Sequence, residues 1–251
     1  MLRSNWRSWD NRVFCLFLSA MALWGLTVFG MRTSPDLEAA FAWEKWLIAV
    51  IPFVTVLFYH FTLVFTRNRF RWLLYFFYLS VSALALASMF NLVVTGMQLK
   101  PYGYAPVISP LFALYLVITY SSSFLGIYNL VRAHKKARAR EEKRRYAYVV
   151  LGVACSLVGG TTDFLPVLGL PLYPLGIVGN IFFSLFATIA ILRYRLLELR
   201  AVLRQGFAYI ILTTFILGLY GAVFFATQTL FRYGDPYVNF LVAIVSILLV
   251  A

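Results

Sequence analysis

The chain has 251 residues, 62% of them hydrophobic and only 12% charged, with a mean hydropathy of +0.83. That balance excludes a water-soluble domain with a polar surface, and the wealth of apolar residues excludes a disordered chain. Its 15 Gly and 9 Pro are ordinary amounts, so no collagen-like or low-complexity chain is in view either. The net charge of +13 raises the question of a nucleic-acid partner, and the placement of the charges answers it. Eighteen of the 22 Lys and Arg fall in the N-terminus (Arg3, Arg7, Arg12) and in alternate loops: Arg67, Arg69 and Arg71, then Arg132 to Arg145, then Arg193 to Arg204. The remainder are Arg32, Lys45, Lys100 and Arg232. This asymmetry follows the positive-inside rule, so membrane topology explains it without DNA or RNA, and it places the N-terminus in the cytoplasm.

In chain order, the apolar runs predict helices near Val13 to Met31, Trp46 to Thr66, Trp72 to Met97, Ile108 to Val131, Tyr146 to Leu168, Pro174 to Leu192 and Phe207 to Leu230. Each approaches the roughly 20 residues that a ~30 Å hydrocarbon core demands. An eighth run, Tyr237 to Ala251, reaches only about 22 Å at 1.5 Å per residue and ends without a polar flank. The expected fold is therefore all-α: a polytopic transmembrane helical bundle with seven complete spans and an eighth cut at the C-terminus. All 251 residues form one domain, with a cytoplasmic output domain expected after residue 251. The first span, 19 residues long without a clear small-residue cleavage site, reads as a retained signal anchor in an inner membrane. Cys15 and Cys155 lie inside apolar runs and read as small hydrophobes.

No connecting loop exceeds about 15 residues, so activity has to be built from the helices themselves. The longest loop, His134 to Arg145, is helix-compatible and reads as a solvated topogenic hinge. Between Arg193 and Gly206, leucines 196, 199 and 203 share a face, as in an interfacial amphipathic connector. Small residues repeat at i+4 as Gly152, Ser156 and Gly160 on span five and as Gly218, Ala222 and Ala226 on span seven, the pattern of close helix contact.

Catalytic constellations are missing from the sequence. It contains no His-Glu-x-x-His, no Gly-x-Ser-x-Gly elbow, no Gly-rich phosphate loop and no acidic pair for metal-dependent transfer. With two histidines, metal ligands are scarce, and neither a metal nor a cofactor is expected. What remains is a short set of costly intramembrane polar residues, which are functional candidates by default. Asn91, Asp163 and Asn180 are expected at one level, about five or six residues below the outer ends of spans three, five and six, with Thr162 beside Asp163. With Pro and Tyr in the loops above, these four suggest an outward-facing pocket for a small amphipathic or lipid-like ligand. The competing reading, that they bond one another as structural glue, stays open. His60, in the inner half of span two, is either a pH-sensitive group or a histidine bonded to a neighbouring helix.

Three stretches carry a family resemblance: Tyr59-His60-Phe61 before a basic turn, Thr162 to Gly169 with Tyr173-Pro174-Leu175-Gly176 and Gly179-Asn180, and Arg193 to Arg200 before another span. Together they resemble the N-terminal multi-span sensor region of bacterial membrane histidine kinases. That resemblance implies a homodimer and a cytoplasmic kinase module in the same polypeptide, with Glu198 standing where Asp is expected. The 251 residues hold no phosphoacceptor helix and no ATP-binding motif, so no enzymatic activity is expected of them. The resulting expectation is a membrane-embedded input domain that passes a ligand or membrane signal onward. A small transporter or permease subunit is the alternative, followed by an intramembrane enzyme using His60 or Asp163.

Overall fold

A computed structural model describes residues 9–67, 72–167, 170 and 173–194. Within them six helices form in order: α1 (Trp9–Arg32), α2 (Leu37–Phe65), α3 (Trp72–Met89), α4 (Leu111–Lys136), α5 (Arg140–Phe164) and α6 (Gly176–Tyr194). The first five are long and apolar enough to cross a membrane, while α6 carries a shorter apolar stretch, Gly176–Ala190. Spans seven and eight, the connector from Arg193 to Gly206 and the Gly218 seam lie outside the described residues.

The longest helix, α2, has 29 residues, about 43 Å at 1.5 Å per residue, and therefore starts well before the apolar run does. Asp36 explains the early start, because its extended backbone and its carboxylate, accepting the Ala39 N–H at 2.8 Å, make an N-cap. α2 packs against α1, α3 and α4 and forms the buried centre of the bundle. Around it interlock aromatic pairs such as Phe14–Phe61, Phe17–Phe58 and Tyr59–Phe77, at ring separations of 4.9, 5.7 and 5.5 Å. Large apolar side chains such as Leu16, Phe29, Leu79, Leu86, Val158 and Ile181 point outward instead. In water such a surface would aggregate; in lipid it is the solvent-facing side.

The third span differs from expectation. α3 stops at Met89, and the chain turns into an antiparallel hairpin, β1 (Val94–Lys100) and β2 (Gly103–Ile108). Asn91 is the residue that ends the helix: it takes a left-handed backbone (φ 59), its N–H donates to Ser88 O, and the Leu92 N–H reaches back to Ala87 O. These two bonds make a Schellman cap with Asn at the position that usually takes Gly. Asn91 is therefore exposed at the helix end, not one to two turns inside the span as expected. Asn91→Gly is expected to keep stability, whereas Asn91→Val, which cannot relax into this conformation, should cost about 1–2 kcal/mol in thermal unfolding. The strands pair from Val94↔Ile108 to Lys100↔Gly103, closed by Pro101–Tyr102 with Gly103 at φ 109.

At the opposite end, the basic loop expected from His134 to Arg145 shrinks to residues 137–139, because α4 runs through Lys136 and α5 starts at Arg140. The His134 Nδ1–H donates to Lys143 O at 2.9 Å and holds the two helix ends together. Arg67 and the cations from Lys135 to Arg145 thus share one end of the bundle, and the hairpin occupies the other.

The α5–α6 pair owes its closeness to glycine. A Cβ on Gly179 would lie 2.6 Å from Cys155 O and 3.1 Å from Gly159 Cα, and one on Gly152 would meet Phe183 and Phe186. The small-residue seam is therefore Gly152, Ser156 and Gly159. Gly160, which the i+4 spacing had placed in it, faces Trp24 on α1.

Candidate functional site

At the hairpin end, α5 and α6 are joined by their own polar side chains. The Thr162 hydroxyl accepts the Leu175 N–H at 2.8 Å and the Asp163 Oδ1 accepts the Gly176 N–H at 2.8 Å. Both satisfy amides at the start of α6, where the helix dipole also favours a negative group. One turn further on, Ser156 donates to Asn180 Oδ1 at 2.6 Å. Three of the four expected pocket residues, Thr162, Asp163 and Asn180, are thus brought to one corner, and each makes a bond between helices. Asn91 is not among them; it caps α3.

Two cavities meet at Asp163. The inner one, about 620 Å³ counting the space open to the surface, lies among α1, α2, α4, α5 and α6 and is walled by residues such as Phe17, Met21, Val54, Phe58 and Phe183. The outer one, about 580 Å³ on the same measure, lies beneath the hairpin and is walled by Arg32, Glu44, Tyr102, Tyr104 and Phe112 among others. Trp24, Ile51, Asp163 and Phe164 line both. Thr162 and Asn180 line neither, so of the expected four only Asp163 reaches these cavities.

The outer cavity contains a residue that the sequence reading passed over. Glu44, two turns into α2, is 3% exposed, and its Oε2 has no hydrogen-bond partner among the described residues. Arg32 and Asp163 both act on it electrostatically. Arg32 is itself committed to the hairpin, donating from Nη1 to Tyr102 O at 2.9 Å, and Tyr104 donates its hydroxyl to Ser34 O at 3.0 Å. These two bonds strap the hairpin over the cavity. The Tyr102 hydroxyl has no partner among the described residues, and burial pushes its pKa above the ordinary value, with the Arg32 guanidinium pulling the other way.

Elsewhere the polar residues tie helices together. Tyr120 donates to Thr161 Oγ1 at 2.8 Å, Ser122 to Thr55 Oγ1 at 2.8 Å, and Asn129 Nδ2 to Thr62 Oγ1 at 3.3 Å. His60 Nδ1 and the Tyr78 hydroxyl are 3.0 Å apart, linking α2 to α3, and neither residue lines the two cavities. Among the described residues no group of three or more His, Cys, Asp or Glu could hold a metal ion.

Long apolar helices, lipid-facing side chains and intramembrane hydrogen bonds define a polytopic membrane helical bundle. The chain belongs to the family described as the N-terminal 7TM region of histidine kinase, whose model matches residues 1–200. This family is a membrane sensory input region and not a catalytic one. Neither a curated protein nor a solved structure matches the chain.

Proposed function

We propose that this chain is the ligand-sensing input of a sensor histidine kinase in the inner membrane, with its N-terminus in the cytoplasm. It works as a homodimer and passes its signal to a cytoplasmic kinase module of the same polypeptide. The observation that carries this reading is the family match combined with a polar-rimmed cavity at the end of the bundle opposite the basic cluster. The cations from Lys135 to Arg145 belong on the cytoplasmic side by the positive-inside rule, which turns the hairpin and its cavity outward.

The ligand site centres on Asp163, with Thr162 and Asn180 setting the α5–α6 geometry around it. A ligand there can bias packing because it touches α1, α2, the hairpin and α5 together. A compound that binds one packing about 100-fold tighter than the other shifts their balance by ~2.7 kcal/mol, enough to invert a modest resting preference. His60 sits in a separate α2–α3 contact that such a repacking would load.

The first test is to read the native coding sequence past Ala251. The expected continuation is a short linker, a helix with a phosphoacceptor histidine and an ATP-binding domain; a stop codon would overturn the kinase reading. With the native gene product in membrane vesicles, Asp163→Asn is then expected to leave assembly intact while changing basal or stimulated autophosphorylation several-fold. Accumulation of solute by proteoliposomes carrying the chain would instead establish the transporter alternative.

A further inference from the structure

Taking the hairpin-end cavity as the ligand site, the geometry points to the class of ligand. It is an amphiphile with one protonated amine at its head and an apolar chain behind it, the head beside Glu44 and Asp163 in the outer cavity and the chain in the inner one.

Four observations converge on that chemistry. The first is Glu44, almost wholly buried, with one carboxylate oxygen that no described group satisfies. A buried acceptor without a donor is costly, and an ionisable residue inside a membrane bundle marks a ligand or ion pathway. Arg32 Nη1 goes to Tyr102 O and the Gly176 N–H goes to Asp163, and the Tyr102 hydroxyl, which lines the same cavity, bonds no described group. An ammonium N–H is a donor of the kind that this oxygen lacks.

The second is the charge count. Arg32, Glu44 and Asp163 line the outer cavity, so that with both carboxylates ionised one negative charge is in excess, and a bound cation favours that state. A single cation complements it, whereas a carboxylate or phosphate head would add repulsion in a low-dielectric site. The third is the aromatic wall, with Trp24, Tyr102, Tyr104 and Phe112 all lining the same space. Ring faces attract ammonium groups and do not attract anions.

The fourth is the continuity of the two cavities. Trp24, Ile51, Asp163 and Phe164 line both, so a head held at Asp163 has an apolar compartment directly behind it. Gly160 opens that compartment, because a side chain there would project toward Trp24, 3.5 Å from the position of its Cβ. A polar solute without a tail would leave the inner compartment unused, and a tail without a head would leave Glu44 unsatisfied.

The test uses tritiated dodecylamine, which is protonated at neutral pH because aliphatic amines titrate near 10.4 or so, roughly as lysine does. The 251-residue chain is placed in nanodiscs of zwitterionic lipid, and uptake by empty discs is subtracted. The expected result is saturable binding displaced by unlabelled dodecylamine but not by dodecanol or dodecanoate. Glu44→Gln is expected to weaken it about ten-fold or more. Gly160→Leu should weaken dodecylamine about ten-fold while sparing hexylamine, because it fills the tail compartment alone. If Glu44→Gln fails to fold, the head-group competition and the chain-length shift in Gly160→Leu decide the matter. Saturable binding of dodecanoate or dodecanol, with dodecylamine no better, overturns the amine head but leaves the cavity a ligand site. No saturable binding of any of the probes overturns both.

Discussion

Gly179→Leu is expected to abolish the packed α5–α6 pair and, with it, the recovery of a monodisperse protein from the membrane. In lipid no hydrophobic effect presses helices together, since lipid tails are as apolar as leucine, so association rests on close van der Waals approach and hydrogen bonds. At Gly179 the neighbours of an added Cβ are backbone atoms: Cys155 O at 2.6 Å, Gly159 Cα at 3.1 Å and Ser156 Cα at 3.2 Å. Backbone cannot rotate away as a side-chain tip can, so α6 has to move off α5. That movement also stretches the 2.6 Å Ser156–Asn180 bond and the two bonds at the head of α6. Gly179→Ala is expected to lose about 1–3 kcal/mol, the usual range for overpacking, and Gly179→Leu more than the fold can absorb. Gly25→Ala is the control: nothing lies within 4 Å of its Cβ position, so its unfolding midpoint should stay within about 0.5 kcal/mol of the parent. Size-exclusion profiles and thermal unfolding of the three variants in one detergent check this, and a folded Gly179→Leu would show that the helix pair is not held by that contact.

What the sequence disclosed and what it concealed follow from the same physics. Hydropathy located the apolar helices because it measures the property that the bilayer selects, and the two basic flanks of the α4–α5 turn were legible for the same reason. It could not locate the end of α3. The run Leu92-Val93-Val94-Thr95-Gly96-Met97 is as apolar as a helix, yet it is β-branched and contains a glycine, and Pro101-Tyr102-Gly103 after it is a turn. Those signs were available, and a window that averages apolarity erases them. Asn91 was consequently placed inside a span that had already ended.

Glu44 escaped for a different reason. Beside Lys45 and just ahead of the run beginning at Trp46, it reads as a charge at the membrane edge. Only the Asp36 cap, which starts α2 at Leu37, carries it two turns into the helix, and the hairpin, α1, the start of α4 and the end of α5 close around it there. Burial of this kind is a tertiary property that no local pattern encodes. The choice between Gly159 and Gly160 is similar: adjacent residues point about 100° apart on a helix, so spacing identified a small-residue face but not which glycine stood on it. Asp163, by contrast, was legible as a lone acid in an apolar segment, and its carboxylate has two faces, one capping α6 and one lining the cavities.

Those two faces can be separated by a double-mutant cycle between Asp163 and Gly176. The carboxylate caps α6 through Oδ1, and Gly176 permits an approach so close that a Cβ there would collide with Oδ2. Gly176→Ala is therefore expected to push the carboxylate off its amide and to cost about as much as Asp163→Ala, roughly 1–2 kcal/mol for a lost N-cap. The double variant should cost little more than either single one, because the same bond is lost only once; additive losses would mean that the glycine serves something other than the cap. Asp163→Asn behaves differently in both respects. Its side-chain oxygen still accepts the Gly176 N–H, so stability should fall only by the charge–dipole contribution, about 0.3–1 kcal/mol. The cavity side of the same residue loses its negative charge, and Arg32 and Glu44 are left balanced. If Asp163 were structural glue alone, Asp163→Asn would match the parent in dodecylamine binding and show only that small loss in unfolding. A variant that loses no more than about 1 kcal/mol in unfolding but binds the amine about ten-fold more weakly assigns the charge to the ligand and the hydrogen bond to the helix.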